Sequence, residues 1–412
     1  MAESHKFKNQ EIVEVGTIEG DLVLNRCRSI VPKEGNEIVV TRQVEVKGDT
    51  VFEGSLRAQS LSANGNSIRI RGNLSVESLA ENRRGGLTVE GNAKGQGFRA
   101  GSTLSIGENL ECSSASGGAS VRVGGNAKVL KMSGGGSVKV EGDAEIDRVS
   151  GGGSVKIEGK CDIGELSAGG SGKITKGKIG KISVGGSFKS EDAVEAEEIN
   201  VGGSVALGAG SKIGSIDVGG TLRTEGDLTF DDIDVGGKVD IDGAAHGATV
   251  DVGGKFITSG PLTLTGDLEV GGKIDIGGNL KCDRKIKVGG TATVNGRIDT
   301  FRIIVGAQID ADYVRAEDGF RLGRRAEVTC NVESPEILIR ERARTRSLYG
   351  DDIRIEERAR VGSVYGRKVY IEREAIIEGE ILYTESLDAE SDVRFREEPR
   401  KVDSLPPPEQ MQ

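Results

Sequence analysis

The sequence predicts an all-β protein built as a single-stranded parallel β-helix (a β-solenoid), with about 17 residues per coil and about 20 coils. Three observations carry this prediction. Val-Gly-Gly recurs at a nearly constant spacing, with its valines at Val184, Val201, Val218, Val235, Val252, Val270 and Val288. Apolar residues in pairs, with one residue between them, flank each Gly-Gly, and this period of two places both side chains on one face of a strand. Glycine makes up 64 of 412 residues, whereas the chain has 9 Phe, 5 Tyr and no Trp.

The repeat extends to both sides of its clearest stretch. Upstream, equivalent apolar segments end at the same constant spacing, at Val123, Val140, Ile157 and Ile174. We expect Gly-Gly to supply positive φ angles and to remove Cβ where the chain turns sharply. Paired glycines at this spacing would break a helix. Stacking equivalent positions at about 4.8 Å per coil gives a thin core of Val, Ile, Leu and Ala, which accounts for the scarcity of aromatic residues.

Composition divides the chain into five expected segments. All five tyrosines follow residue 312, and four of the seven prolines lie at or after Pro399. The segments are a disordered tail at 1–10, an N-terminal cap or irregular early coils at 11–44, a Gly-rich β-helix at 45–310, an Arg- and Tyr-rich continuation at 311–390, and a disordered Pro-containing tail at 391–412.

Charge and cysteine content bear on location and partners. The chain carries 55 Lys and Arg against 65 Asp and Glu, a net charge of −10, with no basic patch, which disfavours nucleic-acid binding. None of the five cysteines lies in a CxxC motif, which fits a reducing cytoplasm. No apolar stretch is long enough for a spanning helix and no signal-like segment opens the chain. We therefore expect a cytoplasmic protein, with membrane association disfavoured.

Catalytic chemistry finds little support in the sequence. The two histidines are His5, in the expected tail, and His246, in a variable corner. Carboxylates near Asp231 and Asp240 resemble the pairs of β-helical glycosidases, but such runs are more typical of a solvated outer face. No calcium-binding nonapeptide repeat and no P-loop is present. We expect no enzyme activity, cofactor, metal or catalytic residue.

Three stretches resemble the bactofilins, the polymer-forming cytoskeletal proteins of prokaryotes. They are the alternating apolar, Gly-punctuated segments 44–56, 353–361 and 371–379. The resemblance implies a right-handed, roughly triangular β-helix whose members join end to end into non-polar filaments without nucleotide. The Gly-Gly middle, residues 117–305, departs from the usual pattern of that family.

The leading functional hypothesis is therefore a structural scaffold that assembles with itself through its end coils, where strands lack partners and the apolar core is open. Candidate contact residues fall near the two ends: Val44, Val46, Val51, Phe52, Tyr370, Ile371, Ile377, Ile381 and Tyr383. One alternative is a rigid β-helical module that binds an envelope or protein partner, and the partners we consider besides a second copy are envelope and cytoskeletal proteins. Another, less favoured, is a β-helical enzyme.

Overall fold

A computed structural model describes residues 4–411, which divide between two compact units, Met1–Leu207 and Gly208–Gln412. The described strands pair in parallel, about 17 residues separate stacked partners, and the two units together comprise about 23 turns. The predicted all-β parallel solenoid is thus confirmed. Within residues 4–411 the only helical segment is a 3₁₀ turn, Pro408–Gln410, and no helix there is long or apolar enough to cross a membrane.

The first unit contains strands β1 to β24. Their bounds are β1 Ser4–Lys8, β2 Ile12–Val15, β3 Thr17–Ile18, β4 Asp21–Asn25, β5 Ser29–Pro32, β6 Glu37–Lys47, β7 Thr50–Phe52, β8 Ser55–Asn64, β9 Ser67–Ile70, β10 Leu74–Val76, β11 Leu79–Asn82, β12 Gly86–Val89, β13 Ala93–Ala100, β14 Thr103–Ile106, β15 Leu110–Gly117, β16 Ser120–Val123, β17 Ala127–Gly134, β18 Ser137–Val140, β19 Ala144–Gly151, β20 Ser154–Ala168, β21 Ser171–Val184, β22 Ser187–Ser190, β23 Val194–Val201 and β24 Ser204–Leu207.

The second unit contains strands β25 to β50. Their bounds are β25 Ser211–Val218, β26 Thr221–Thr224, β27 Leu228–Val235, β28 Lys238–Ile241, β29 Ala245–Gly247, β30 Thr249–Val252, β31 Lys255–Thr258, β32 Leu262–Leu264, β33 Leu268–Val270, β34 Lys273–Ile276, β35 Leu280–Val288, β36 Thr291–Val294, β37 Arg297–Val305, β38 Gln308–Asp310, β39 Tyr313–Leu322, β40 Glu327–Val328, β41 Asn331–Glu333, β42 Glu336–Ile339, β43 Arg344–Thr345, β44 Leu348–Ile355, β45 Arg360–Val361, β46 Val364–Ile371, β47 Ile376–Ile377, β48 Ile381–Ala389, β49 Arg394–Phe395 and β50 Arg400–Lys401.

The core of each unit consists of columns, meaning residues at equivalent positions in successive turns. Val123 stacks on Val140, and Val140 stacks on Ile157. All three are 1% exposed or less. Because like side chains stack on like, each added turn buries its inward face on the turn before it, and stability accumulates from neighbour to neighbour.

Some of the aromatic rings in this core lie against a glycine of a neighbouring turn. Phe188 is 1% exposed and lies opposite Gly172 in the adjacent turn. A Cβ at Gly172 would lie 3.0 Å from the Phe188 ring. Phe230 repeats the arrangement, since a Cβ at Gly247 would collide with its ring. Other rings have a side chain opposite them in both neighbouring turns, as Phe256 does between Val239 and Ile274, where it is fully buried.

The Gly-Gly corners differ from the prediction in their backbone angles. The glycines with positive φ are elsewhere, for example Gly48 and Gly226, and Gly236 and Gly253 of the corner repeat are not among them. Instead, a Cβ at Gly253 would lie 2.5 Å from the carbonyl oxygen of Gly236 in the preceding turn. The corner therefore requires glycine because successive turns approach too closely for a side chain, and not because φ is left-handed.

The structure also differs from the prediction at the N-terminal end. Residues 4–8, expected in a disordered tail, form β1, which pairs with β4. His5 and Phe7 lie opposite Leu22 and Leu24 and are half-buried, because their period of two lets both cover the leucines of the next turn. Residues 11–44 form early turns of unequal length, since Val13 stacks on Ile30 whereas Ile18 stacks on Val40, five residues further along the chain. Residues 1–3 of the expected tail lie outside the described residues.

The C-terminal end departs from the prediction in the same way. Residues 391–412 were expected to form a disordered tail, but they contain β49 and β50, which pair with β47 and β48. Beyond Val402 the chain runs back along the second unit. There the side-chain amide nitrogen of Asn331 donates to the carbonyl oxygen of Met411 at 3.4 Å. Gln412 lies outside the described residues.

Candidate assembly surfaces

The first turn of the first unit presents a strand edge. Among the described residues, β1, β2 and β3 pair only with β4, β5 and β6, so one side of each keeps its backbone donors and acceptors unpaired. Val13 and Val15 are buried within this turn, whereas Ile12 on its outer face is 65% exposed. Such an edge can accept another parallel strand.

The last turn of the second unit is the more open end. Leu387 and Ala389 lie opposite Val369 and Ile371, and both are half-buried, although Val369 and Ile371 are 2% and 0% exposed. Phe395 lies opposite Ile377 and is also half-buried. These side chains occupy core columns but lack a further turn to cover them.

A groove of about 350 Å³ marks the same end. It is lined by Ile376, Ile377, Glu378, Arg394, Phe395 and Arg396. Phe395 is the apolar part of this groove, since Ile377 beneath it is fully buried, and one acidic and two basic side chains flank it. A surface of this kind suits a partner that supplies both an apolar side chain and counter-charges.

The N-terminal contact residues predicted from the sequence lie inside the solenoid. Val44, Val46 and Phe52 are 1% exposed or less, and Val51 is half-exposed on an outward face. β6 and β7, which carry them, have a partner strand on both sides. Val44, Val46 and Phe52 are therefore covered by neighbouring turns of their own chain, whereas Val51 faces outward from such a turn.

The C-terminal contact residues lie within one turn of the open end. Ile371, Ile377 and Ile381 are fully buried. Tyr370 and Tyr383 are half-exposed, and their opposite residues are Asp388 and Lys401. Their contact with a second copy stays a prediction.

Sequence reasoning missed the last turn itself. Phe395 follows Ile377 at about one coil length, just as Ile377 follows Val361. That spacing continues a core column and could have revealed the extra turn.

The lateral faces carry ladders that tie each turn to the next. In the first unit, Asn109 and Asn126 belong to a corner column of asparagines. Asn109 Nδ2 donates to Asn92 Oδ1 at 2.9 Å, and the backbone nitrogen of Asn126 donates to Asn109 Oδ1 at 2.9 Å. Each side chain thus satisfies a backbone donor of the following turn, at a corner where strand pairing stops.

A shallow groove of about 980 Å³ follows one face of the first unit. Paired charges cross it from turn to turn, with Lys94–Glu111 and Lys128–Glu145 each at 2.9 Å. Leu130, which lines the groove, is 63% exposed. The groove combines an apolar contact point with neutralised charge.

The second unit has a face of tyrosines, carboxylates and arginines. The Tyr313 hydroxyl donates to Glu333 Oε2 at 2.7 Å and the Tyr365 hydroxyl donates to Glu380 Oε1 at 2.9 Å. The guanidinium of Arg297 lies 5.0 Å from the centre of the Tyr313 ring. Burial, followed by the hydrogen bond to Glu333, raises the pKa of Tyr313. These tyrosines are held as neutral hydrogen-bond donors.

The positions considered for catalysis are separate surface residues. His246 is exposed and lies between Thr229 and Thr263 of adjacent turns. Asp240 pairs with Lys238 at 2.7 Å. Within residues 4–411, no three His, Cys, Asp or Glu side chains lie close enough together to hold a metal ion.

The five cysteines are free and buried. Burial raises the pKa of Cys161 to about 12, so this thiol is far from the thiolate form that reacts.

Residues 250–349, within the second unit, match the family model of the bactofilins, described as polymer-forming cytoskeletal. The resemblance predicted from the sequence is thereby confirmed. The matched segment includes the last Gly-Gly repeats and ends before residues 353–361, so it differs from the three stretches that suggested the family. No curated protein and no solved structure gives a significant match to this chain.

Proposed function

We propose, from the bactofilin match of residues 250–349, that this chain is a structural cytoskeletal protein that assembles end to end into filaments without nucleotide. The observation that carries the proposal is the open last turn. Leu387, Ala389 and Phe395 occupy core columns yet remain half-buried, and covering them with another turn continues the packing already present. A second copy offers such a turn.

Two physical contributions favour this contact. Apolar burial stabilises by roughly 25 cal/mol per Å². The unpaired edge of a terminal turn gains backbone hydrogen bonds when another parallel strand is added. The first turn supplies an edge of this kind through β1 to β3. The free cysteines support the accompanying proposal of a cytoplasmic location.

The test compares two charged substitutions of phenylalanine. Phe395→Asp places a carboxylate in the open end, whereas Phe301→Asp places one on a lateral face, where Phe301 is 47% exposed. In negative-stain micrographs we expect filaments from the wild type and from Phe301→Asp, and short particles from Phe395→Asp. Far-UV circular dichroism checks that both variants keep their β structure.

Three results would contradict the proposal. A monodisperse wild-type monomer of 43.3 kDa at high concentration would exclude self-assembly. Filaments of normal length from Phe395→Asp would exclude the C-terminal end. Equal loss in both variants would move the contact to the lateral faces. A charge at Phe52, which is fully buried, would test folding rather than contact.

A second candidate function is a rigid binding module for another protein. The groove of the first unit, about 980 Å³ with the exposed Leu130 on its lining, favours it. Leu130→Asp should leave filaments intact and abolish capture of such a partner. Filament loss in that variant would instead assign the groove to self-assembly.

A further inference from the structure

An outward-facing apolar stripe in the second unit is covered by something other than a neighbouring turn. Tyr349, Tyr365 and Leu382 follow one another in register, and Glu333 and Arg400 extend the column at its two ends. Inward side chains alternate with these positions: Leu348, Val364 and Ile381 are fully buried in the core. The stripe therefore points away from the core. Yet Tyr365 is 2% exposed and Leu382 is 8% exposed.

The C-terminal strap, which we define as residues 402–411, begins and ends beside this stripe. Its residues Val402, Leu405, Pro406, Pro408 and Met411 are each half-buried. The strap starts after β50, which pairs with Leu382 and Tyr383. It ends where the carbonyl oxygen of Met411 accepts a hydrogen bond from Asn331.

The length of the strap fits this path. Asn331 and Lys401 belong to turns that are four turns apart, a rise of about 19 Å at about 4.8 Å per turn. Pro408–Gln410 forms a 3₁₀ turn, and the other seven residues of the strap reach about 22 Å in an extended polyproline conformation at about 3.1 Å each. The three consecutive prolines Pro406, Pro407 and Pro408 favour that conformation before docking, which lowers the entropy lost on binding.

The chemistry of the stripe matches its occupant. The rings of Tyr349 and Tyr365 are stacked with centroids 6.4 Å apart, and aromatic surfaces of this kind recognise proline-rich strands. The carboxylate of Glu409 lies near enough to Tyr349 to add to the effect of burial, which raises the pKa of that hydroxyl.

We propose that the stripe of Tyr349, Tyr365 and Leu382 is a peptide-binding site for a proline-containing, acidic C-terminal segment, and that the chain's own strap occupies it. The strap is a separate ligand on a preformed face, since the turns beneath it are complete without it. The stripe reaches the last turn at Leu382, but it faces outward, whereas Leu387 and Ala389 of that turn occupy core columns. Binding of a peptide to the stripe can therefore be measured independently of filament formation.

The experiment uses a fluorescently labelled peptide of residues 403–411 and a chain that ends at Val402. We expect the shortened chain to bind the peptide with a micromolar Kd in fluorescence anisotropy. The full chain should bind it at least 10-fold more weakly, because a short tether holds the strap at a millimolar effective concentration. Tyr365→Ala in the shortened chain should abolish binding. Tyr370→Ala is the matched control, since Tyr370 lies under Arg354 in another column, and it should leave Kd unchanged.

Absence of binding to a folded shortened chain, or equal binding to the full chain, would overturn the proposal. A second measurement covers the case in which the shortened chain does not fold. The chain has no Trp, so its intrinsic emission comes from five tyrosines, all after residue 312. In the full chain, Leu405→Asp should release the strap and increase acrylamide quenching of this emission, and unchanged quenching would refute the docking.

Discussion

The substitution Gly253→Ala tests why the corners require glycine. A Cβ at this position would lie 2.5 Å from the Gly236 carbonyl oxygen, whereas ordinary contacts begin near 3.4 Å. Relief requires the two turns to separate by most of the difference between these distances. That movement is resisted on both sides of the corner, where Gly253 N donates to Val235 O at 3.0 Å and Lys255 N donates to Gly237 O at 3.1 Å.

The expected cost follows from this geometry. Forcing extra atoms into a packed site typically destabilises by about 1–3 kcal/mol, and each weakened backbone hydrogen bond adds about 1 kcal/mol. We therefore expect Gly253→Ala to destabilise the protein by about 2–4 kcal/mol. The reduced freedom of the unfolded chain offsets only about 0.4–1 kcal/mol of this.

Gly319→Ala is the matched control in the same unit. A Cβ at Gly319 would meet its nearest atom, Arg302 Nε, at 3.5 Å, which is an ordinary contact, and its φ is not left-handed. This variant should be neutral or more stable by up to about 1 kcal/mol. Urea unfolding followed by far-UV circular dichroism measures both. Equal stability of the two variants would refute the steric explanation, and destabilisation of both would point to backbone flexibility instead.

The remaining predictions concern side chains that join turns. Asn109→Ala should lower the free energy of unfolding in urea by about 1 kcal/mol, because the backbone N–H of Asn126 loses its acceptor. Asn109→Asp keeps an acceptor oxygen and should retain most of the stability. Equal losses in the two variants would show that this hydrogen bond does not stabilise the fold. Arg358 has φ 57°, a left-handed conformation that favours glycine. Arg358→Gly should therefore be about 1 kcal/mol more stable than Arg358→Ala, since both variants lack the ion pair to Glu374. Equal stability of the two variants would refute backbone strain at this position. Burial raises the pKa of the thiols of Cys112, Cys161 and Cys330 from 9.0 to about 12, which stabilises the fold below pH 9. The urea midpoint should therefore fall as pH rises from 9 towards 12. It should fall less in a variant in which these three cysteines are replaced by Ala.

Much of the fold could be predicted because a solenoid repeats one local rule. The spacing of Val184, Val201 and Val218 predicts the number of residues in a turn. The alternation of apolar and other residues around each valine predicts which side chains face the core. Any single turn would have been ambiguous, but recurrence at one period excludes helices. The direction in which the coil winds has no such signature, and it stays a prediction from the family resemblance.

The ends resisted prediction because they lack repetition. His5 and Phe7 form one apolar pair with no earlier copy to set their register, and only the leucines opposite them explain the strand. The prolines at 406–408 are equally typical of a free tail and of a docked one. What decides between the two is whether a matching surface exists on the folded solenoid, and that surface is assembled from residues of successive turns.

The residues at the ends of the solenoid also differ from the predicted contact residues. Phe52 and Ile377 are expected near the ends of the solenoid only if residues 11–44 form a cap or irregular coils and residues 391–412 form a tail. Phe52 lies between Ile30 and Ile70. Ile377 lies between Val361 and Phe395, so each has a neighbouring turn on both sides and is fully buried. In a solenoid, exposure depends on how many turns remain, and not on the side chain itself. Ile377 and Phe395 occupy one column, yet Ile377 is 0% exposed and Phe395 is only half-buried. The residue that ends a column is therefore the one that a second copy can contact.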